Sequence, residues 1–267
     1  MKTIDLGAGL VKIAYDDVGS GLPVVLLHAF PLDRSMWQPQ VEPLASAGFR
    51  VLSVDLPGFG ETPCDPQCFT MDRGADHVSA LLGALEIERA VVVGLSMGGY
   101  VAMSIARRHP HLLAALVLAD TRAAPDVPHL RANRDKLIAA VKEKGALAAA
   151  EAMLHNLLSE PTRSTNPGLI ERIRTIILRQ SIEGLVAGLQ ALRDRPDAAP
   201  VLETVEAPTL VLVGEFDTVT PMITAARIAG TIRKSSLTHI PGAGHLSNLE
   251  NPDAFNTALI GFLKRLQ

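Results

Sequence analysis

Gly94-Leu95-Ser96-Met97-Gly98-Gly99 decides how this chain is read. An aliphatic run, Ala90 to Val93, leads into it, and a helical pattern, Tyr100 to Arg108, leads out. That context predicts a strand, an abrupt turn and a helix. At such a turn Ser96 is forced into strained backbone geometry, with its hydroxyl pushed outward. Gly94 and Gly98 let strand and helix approach where a larger side chain has no room. The Met97 amide opens the helix, so its free N–H and the positive helix end face negative charge developing beside Ser96. A nucleophilic serine is the functional reading, and a serine that only caps the helix is the structural alternative.

The chain has 267 residues, enough for one domain with an insertion or for two small domains, and for a sizeable core. Its high apolar and low aromatic content (48% and 4%) suits the aliphatic interior of a parallel sheet. A net charge of −3 without a basic cluster argues against nucleic acid or an acidic membrane as partner. No segment has the length and apolarity of a membrane span. The N-terminus, Met1 to Leu6, has no apolar core or small-residue cleavage site, so a cytoplasmic location is expected. Cys64 and Cys68 are too few for a disulfide scaffold, and two free thiols are expected rather than a bridge. Homo-oligomerisation stays open.

The residues up to Val18 alternate and end at Gly19-Ser20-Gly21, which predicts an antiparallel pair at a sheet edge. Val24–Leu27 and Val51–Val54 are continuous apolar runs, the mark of strands buried on both faces. A helix is expected from Met36 to Ala47, and another from Thr70, its cap, to about Leu85. Leu112 to Ala119 completes the first set of strands. Strands alternating with helices imply right-handed crossovers and a mostly parallel sheet.

From Thr121 to Glu203 no strand is evident. Helical patterns fall near Leu130–Lys144, Ala146–Leu158, Leu169–Gln180 and Ile182–Arg193. Their apolar faces carry Leu154, Leu157, Leu158, Ile173, Ile176, Ile177, Leu185 and Leu189. Most of these are expected to pack, and a few to line a substrate pocket, with Leu154, Ile177 and Leu185 as candidates. The strand rhythm resumes with Thr209–Val213 and Leu237–Ile240, and a last helix starts near Asn251-Pro252. The expected organisation is a core of residues 1–120 and 204–267 interrupted by a helical cap, 121–203.

A serine hydroxyl needs a base. Of eight histidines, His245 stands in the flexible turn Pro241-Gly242-Ala243-Gly244-His245 after the last strand, where it can reach the C-terminal sheet edge. His28 is read as structural, bonding nearby loop backbone; His77 and His129 fit solvated faces or a helix start; His239, within a strand, is expected to pack. The base needs an acid to fix its tautomer. Asp217, in Gly214-Glu215-Phe216-Asp217-Thr218-Val219-Thr220-Pro221, is preferred; Glu215 comes too early, and Asp120 is the rival because it also ends a strand. Turn capping is the alternative role for both aspartates. The Met97 amide and the Phe30 backbone N–H, in the loop after Leu27, are the expected oxyanion donors.

With these residues in view the chain resembles the α/β-hydrolase superfamily over nearly its whole length. It looks most like bacterial serine esterases and lactonases with a helical cap between the sixth and seventh main strands. The resemblance is carried by Leu26–Asp33, Asp55–Gly60, Gly94–Gly99, Gly214–Pro221 and Gly242–His245. The family's usual His-Gly after the third strand is His28-Ala29 here. Relatives that use an aspartate nucleophile, the haloalkane dehalogenases and epoxide hydrolases, are excluded by Ser96. Cofactor-free haloperoxidases and C–C bond hydrolases share the serine triad. The resemblance implies hydrolysis of a small-molecule ester of short or medium acyl chain, with no cofactor and no metal. An enol-lactonase, or a low-turnover binding protein on the same scaffold, is the alternative.

Overall fold

The computed structural model describes residues 1–7, 9–65 and 69–267. Eight strands form one sheet: β1 (Lys2–Ile4), β2 (Ile13–Val18), β3 (Leu22–Leu27), β4 (Phe49–Val54), β5 (Ala90–Leu95), β6 (Leu113–Ala119), β7 (Thr209–Gly214) and β8 (Ser235–Ile240). Their order is β1-β2-β4-β3-β5-β6-β7-β8. The last six in this order are parallel, while β1 and β2 attach antiparallel at one edge, as the alternation before Val18 predicts. Val24–Leu27, Val91–Val93, Leu116–Ala119 and Val211–Val213 are buried on both faces, which is why they read as unbroken apolar runs.

The helices are α1 (Gln38–Ser46), α2 (Met71–Ala84), α3 (Met97–Arg108), α4 (Pro128–Lys144), α5 (Ala146–Leu157), α6 (Glu160–Thr165), α7 (Pro167–Leu178), α8 (Ile182–Asp194), α9 (Ala199–Leu202), α10 (Met222–Thr231), α11 (Ser247–Glu250) and α12 (Pro252–Lys264). Thr70 caps α2 through its side chain, as expected. The helix expected at Met36 begins at Gln38 instead, because Asp33 caps a separate 3₁₀ turn, Arg34–Trp37, and Pro39 suits the first turn of the α-helix. On α12, Phe255, Leu259, Phe262 and Leu263 are buried, and Trp37 packs against Phe255.

Helices α4 to α9 all fall between β6 and β7. The short α6 and α9 were not evident from periodicity, since so few residues complete less than two turns. This helical segment is tied to the rest of the chain by polar contacts, most of them partly buried. Asp33 accepts from Arg179 Nε at 2.8 Å, Arg179 Nη2 at 2.6 Å and Gln180 Nε2 at 2.8 Å. Glu250 accepts from the Ser159 N–H at 2.8 Å and the Gly244 N–H at 2.9 Å.

Two histidine readings are corrected. His77 is buried, not solvated: Val11 N–H donates to its Nε2, and its Nδ1 lies 2.7 Å from the Arg73 carbonyl. The segment before β2 folds over α2 there, a tertiary contact that helix periodicity does not carry. His239 is exposed, because β8 is an edge strand and its outer positions have no covering layer. Cys64 carries a free thiol; the pairing question also involves Cys68, which lies outside the described residues.

Candidate functional site

The geometry begins at Ser96. It joins β5 to α3 with φ 53° and ψ −109°, a conformation that costs a side-chain-bearing residue on the order of 1–3 kcal/mol. Neighbouring elements hold it there: its N–H donates to the Ala119 carbonyl, and its own carbonyl accepts from Gly99 N–H, Tyr100 N–H and Thr121 Oγ1. A Cβ on Gly94 would lie 2.2 Å from the Gly98 carbonyl oxygen, and one on Gly98 2.1 Å from that of Leu27. Both glycines are therefore required by the close approach of helix to sheet.

Ser96 Oγ lies 2.9 Å from His245 Nε2, and His245 Nδ1 lies 2.9 Å from Asp217 Oδ2. The three side chains come from the loops after β5, β8 and β7, so the C-terminal ends of parallel strands bring together residues 149 and 28 positions apart in sequence. Asp217 is fixed in turn. Its Oδ1 accepts from the N–H groups of Val219 (2.8 Å) and Thr220 (2.9 Å), and its Oδ2 accepts from Thr220 Oγ1 at 2.5 Å. Burial pushes the Asp217 carboxyl up, but the charge and hydrogen bond of His245, with those from Thr220, outweigh it and hold it below the ordinary carboxylate range. Burial pulls His245 down; the charge and hydrogen bond of Asp217, aided by the charges of Asp120 and Glu250, bring it above the usual histidine value.

Asp120, the rival acid, is fully buried at φ 44°. Gly214 N–H donates to its Oδ1 at 2.8 Å, and Oδ2 is hydrogen-bonded to Ser247 Oγ at 2.5 Å. Burial, with the negative charge of Asp217 nearby, raises its pKa to about 8. It links the end of β7 to the start of α11. Glu215 instead accepts from the Gly242 N–H and stands outside the chain of contacts.

Of the expected oxyanion donors, Met97 follows Ser96 directly and Phe30 lines the same cavity as Ser96. Met97 heads α3, where its N–H has no intrahelical acceptor, and among the described residues the Phe30 N–H donates to no backbone carbonyl. The loop carrying Phe30 is held by His28: its Nδ1 lies 3.0 Å from the Ala29 carbonyl and its Nε2 accepts from Leu56 N–H at 3.0 Å, the structural role read from the sequence. Burial keeps His28 below the usual histidine value, in the neutral form this contact needs.

Over Ser96 opens a cavity of about 340 Å³. It is lined by Ser96, His245, Phe30, Tyr100 and Val219 below, and by Arg122, Leu130, Asn133, Arg134, Leu137, Ala152, Met153, Asn156, Leu157 and Leu192 of the helical segment. None of the three lining candidates read from sequence borders this cavity, whereas Leu157, from the same set of apolar faces, does. Ile177 and Leu185 are fully buried elsewhere, and Leu154 borders a separate surface groove with Ile170 and Arg174. Thr220, Arg122, Arg134 and Tyr100 were not singled out from the sequence. The Asp-x-x-Thr spacing of a side-chain-capped turn signals Thr220, whereas the arginines carry no motif.

The chain belongs to the alpha/beta hydrolase fold family, whose sequence pattern matches residues 23–252. Among solved structures it is similar to a thermophilic esterase from Thermogutta terrifontis, determined with malate bound, at 41% identity and a TM-score of 0.93 over 96% of this chain and 94% of that one. It is also similar to the enol-lactonase from Burkholderia xenovorans, at 27% identity and TM-score 0.88 over 95% and 97%. A putative non-heme chloroperoxidase from Synechocystis is 30% identical, covering 95% of both chains.

Proposed function

We propose that this hydrolase cleaves carboxylic esters of small or medium acyl chain through a covalent acyl-enzyme. The observation that carries the reading is the unbroken contact chain Ser96–His245–Asp217 opening into a cavity. Ser96 Oγ attacks the ester carbonyl as His245 Nε2 takes its proton, and Asp217 stabilises the imidazolium and fixes its tautomer. The Met97 and Phe30 amides receive the oxyanion, each worth on the order of 3 kcal/mol in the transition state. His245 then protonates the leaving alcohol, and a water molecule deprotonated by the same histidine releases the acid.

Lactone opening is a second reading, favoured by the likeness to an enol-lactonase, since a cyclic ester uses the same groups. The similar chloroperoxidase marks a peracid side reaction to be assayed in parallel. A fluorophosphonate probe followed by peptide mapping tests the assignment, with turnover of p-nitrophenyl esters and lactones by the wild type and Ser96→Ala. Labelling at Ser96 and loss of turnover in the variant are expected. Labelling elsewhere, or full activity in Ser96→Ala, refutes it. A kcat/KM on an enol-lactone far above that on any open-chain ester moves the reading to lactonase.

A further inference from the structure

The helical segment brings an unbalanced charge cluster to the cavity over Ser96. The Asp126 side chain, fully buried, is met by three guanidiniums: Arg195 Nη2 at 2.9 Å, Arg122 Nη2 at 2.5 Å and Arg134 Nε at 3.2 Å. Burial raises this carboxyl, but the hydrogen bond from Arg195 and the charges of Arg195, Arg134 and Arg122 hold it below the ordinary range, so it is ionised. One negative charge thus faces three positive ones. Arg195 is committed to structure: 2% exposed, it also donates to the carbonyls of Leu192 and Ala124 and lies 4.4 Å over the Tyr100 ring. It alone balances Asp126.

Arg122 and Arg134 are placed differently. Both line the cavity with Ser96 and His245, and their side chains are 20% and 23% exposed. Each spends one N–H on Asp126 and, among the described residues, its side chain makes no other hydrogen bond. Arg122 Nε is buried and unpartnered among those residues. The remaining ionisable groups on the wall are His245, already turned toward Asp217, and Tyr100, whose ring lies under the Arg195 guanidinium. A chain of net charge −3 therefore presents two uncompensated cations inside its reaction cavity. Poorly solvated guanidiniums with free donor edges are matched by a planar oxyanion.

We propose that the ester cleaved at Ser96 carries a carboxylate of its own, remote from the scissile carbonyl and held by Arg122 and Arg134. The proposal rests on the acyl-transfer reading of Ser96. Leu130, Leu137 and Leu157 line the same cavity and suit a short methylene spacer between the two groups. The carboxylate is a handle and is not consumed: the ester C–O bond breaks, water adds, and the acid and alcohol leave with the handle intact on one of them.

Matched pairs test it. On the acyl side, p-nitrophenyl hemiglutarate is compared with p-nitrophenyl pentanoate, which replaces the carboxylate by a methyl. On the alcohol side, carboxymethyl butyrate is compared with ethyl butyrate. The wild type should favour the charged member of at least one pair by about tenfold or more in kcat/KM, chiefly through KM, and the preference should shrink at high salt. Arg134→Gln, which leaves Asp126 paired with Arg122 and Arg195, should lower the charged-to-neutral ratio by about 10- to 100-fold, and Arg134→Lys should restore much of it. A wild type that prefers the neutral member of both pairs, or a ratio unmoved by Arg134→Gln, overturns the proposal. Binding is read separately from turnover: glutarate should raise the wild-type Tm and do so less in Arg134→Gln. Should no ester be cleaved, the esterase reading falls, and the glutarate shift still decides whether the anion site exists.

Discussion

Replacing Asp217 by asparagine changes one atom, and the structure dictates which way the new side chain points. The Oδ1 position receives two backbone donors, Val219 N–H and Thr220 N–H, at 2.8 and 2.9 Å. The carboxamide oxygen must occupy that position, which puts the NH₂ group where Oδ2 now meets His245 Nδ1 at 2.9 Å. His245 then accepts at Nδ1 and carries its proton on Nε2, facing Ser96 Oγ, where it cannot act as a base. The opposite rotamer restores the tautomer but turns the NH₂ toward two backbone N–H groups. Leaving a buried donor unpartnered costs about 1–3 kcal/mol, hence roughly 2–6 kcal/mol for the pair. At about 1.4 kcal/mol per factor of ten, kcat should fall by roughly 30-fold to 10⁴-fold. Asp120→Asn is the control. Asparagine there keeps an acceptor for Gly214 N–H and a hydrogen-bonding group toward Ser247, outside the Ser96–His245–Asp217 contacts, and the loss should stay within a few-fold. Steady-state turnover of p-nitrophenyl butyrate near pH 7.5, with melting curves to confirm folding, measures both. An Asp217→Asn enzyme within tenfold of wild type, or an Asp120→Asn enzyme more damaged than it, would refute the reasoning.

The acid limb of kcat/KM should report His245: its proton must be absent for Ser96 to be activated, so activity falls as pH drops through its pKa, with a midpoint above the unperturbed value of about 6.5. A limb centred well below that value would show that another group is the base. Gly98→Ala should cost at least 1–3 kcal/mol, because the added Cβ meets the Leu27 carbonyl oxygen at 2.1 Å, whereas Gly83→Ala on α2, with open space around it, should be neutral or slightly stabilising; melting temperatures separate the two. Leu157→Ala should change the ratio of kcat/KM between short and longer acyl esters, while Ile177→Ala, buried away from the cavity, should lower Tm by an amount equivalent to about 2–5 kcal/mol and leave that ratio alone.

The parts of the fold and site that were legible in the sequence are those that local pattern encodes. Val24–Leu27 and Val211–Val213 announce parallel strands because both of their faces are buried, and the glycines around Ser96 announce a turn because nothing larger fits there. Asp217 and His245 were readable because each sits in a loop just beyond a strand whose end the pattern marks. Contacts made across the fold were not. Nothing around His77 signals that the segment before β2 will cover it, and periodicity gives α5 and α7 apolar faces without telling which turns toward Ser96. The Arg122–Asp126 pair has helical spacing, but Arg195, which settles the charge balance, arrives from 69 positions beyond Asp126.

The bonds that secure the helical segment limit what can be exchanged between relatives. Asp33 lies in the loop that also carries Phe30, yet three of its donor contacts come from Arg179 and Gln180; Glu250, beyond His245, takes the Ser159 N–H. A transplant of residues 121–203 from another family member would leave Asp33 facing strangers, beside the loop that carries Phe30. A donor segment that brings no equivalents of Arg179 and Gln180 would need a new residue at position 33 as well, whereas Glu250 asks only that a backbone N–H stand where that of Ser159 now does. The segment and its two acceptors form one unit of inheritance, although they are scattered over more than 200 positions of the chain.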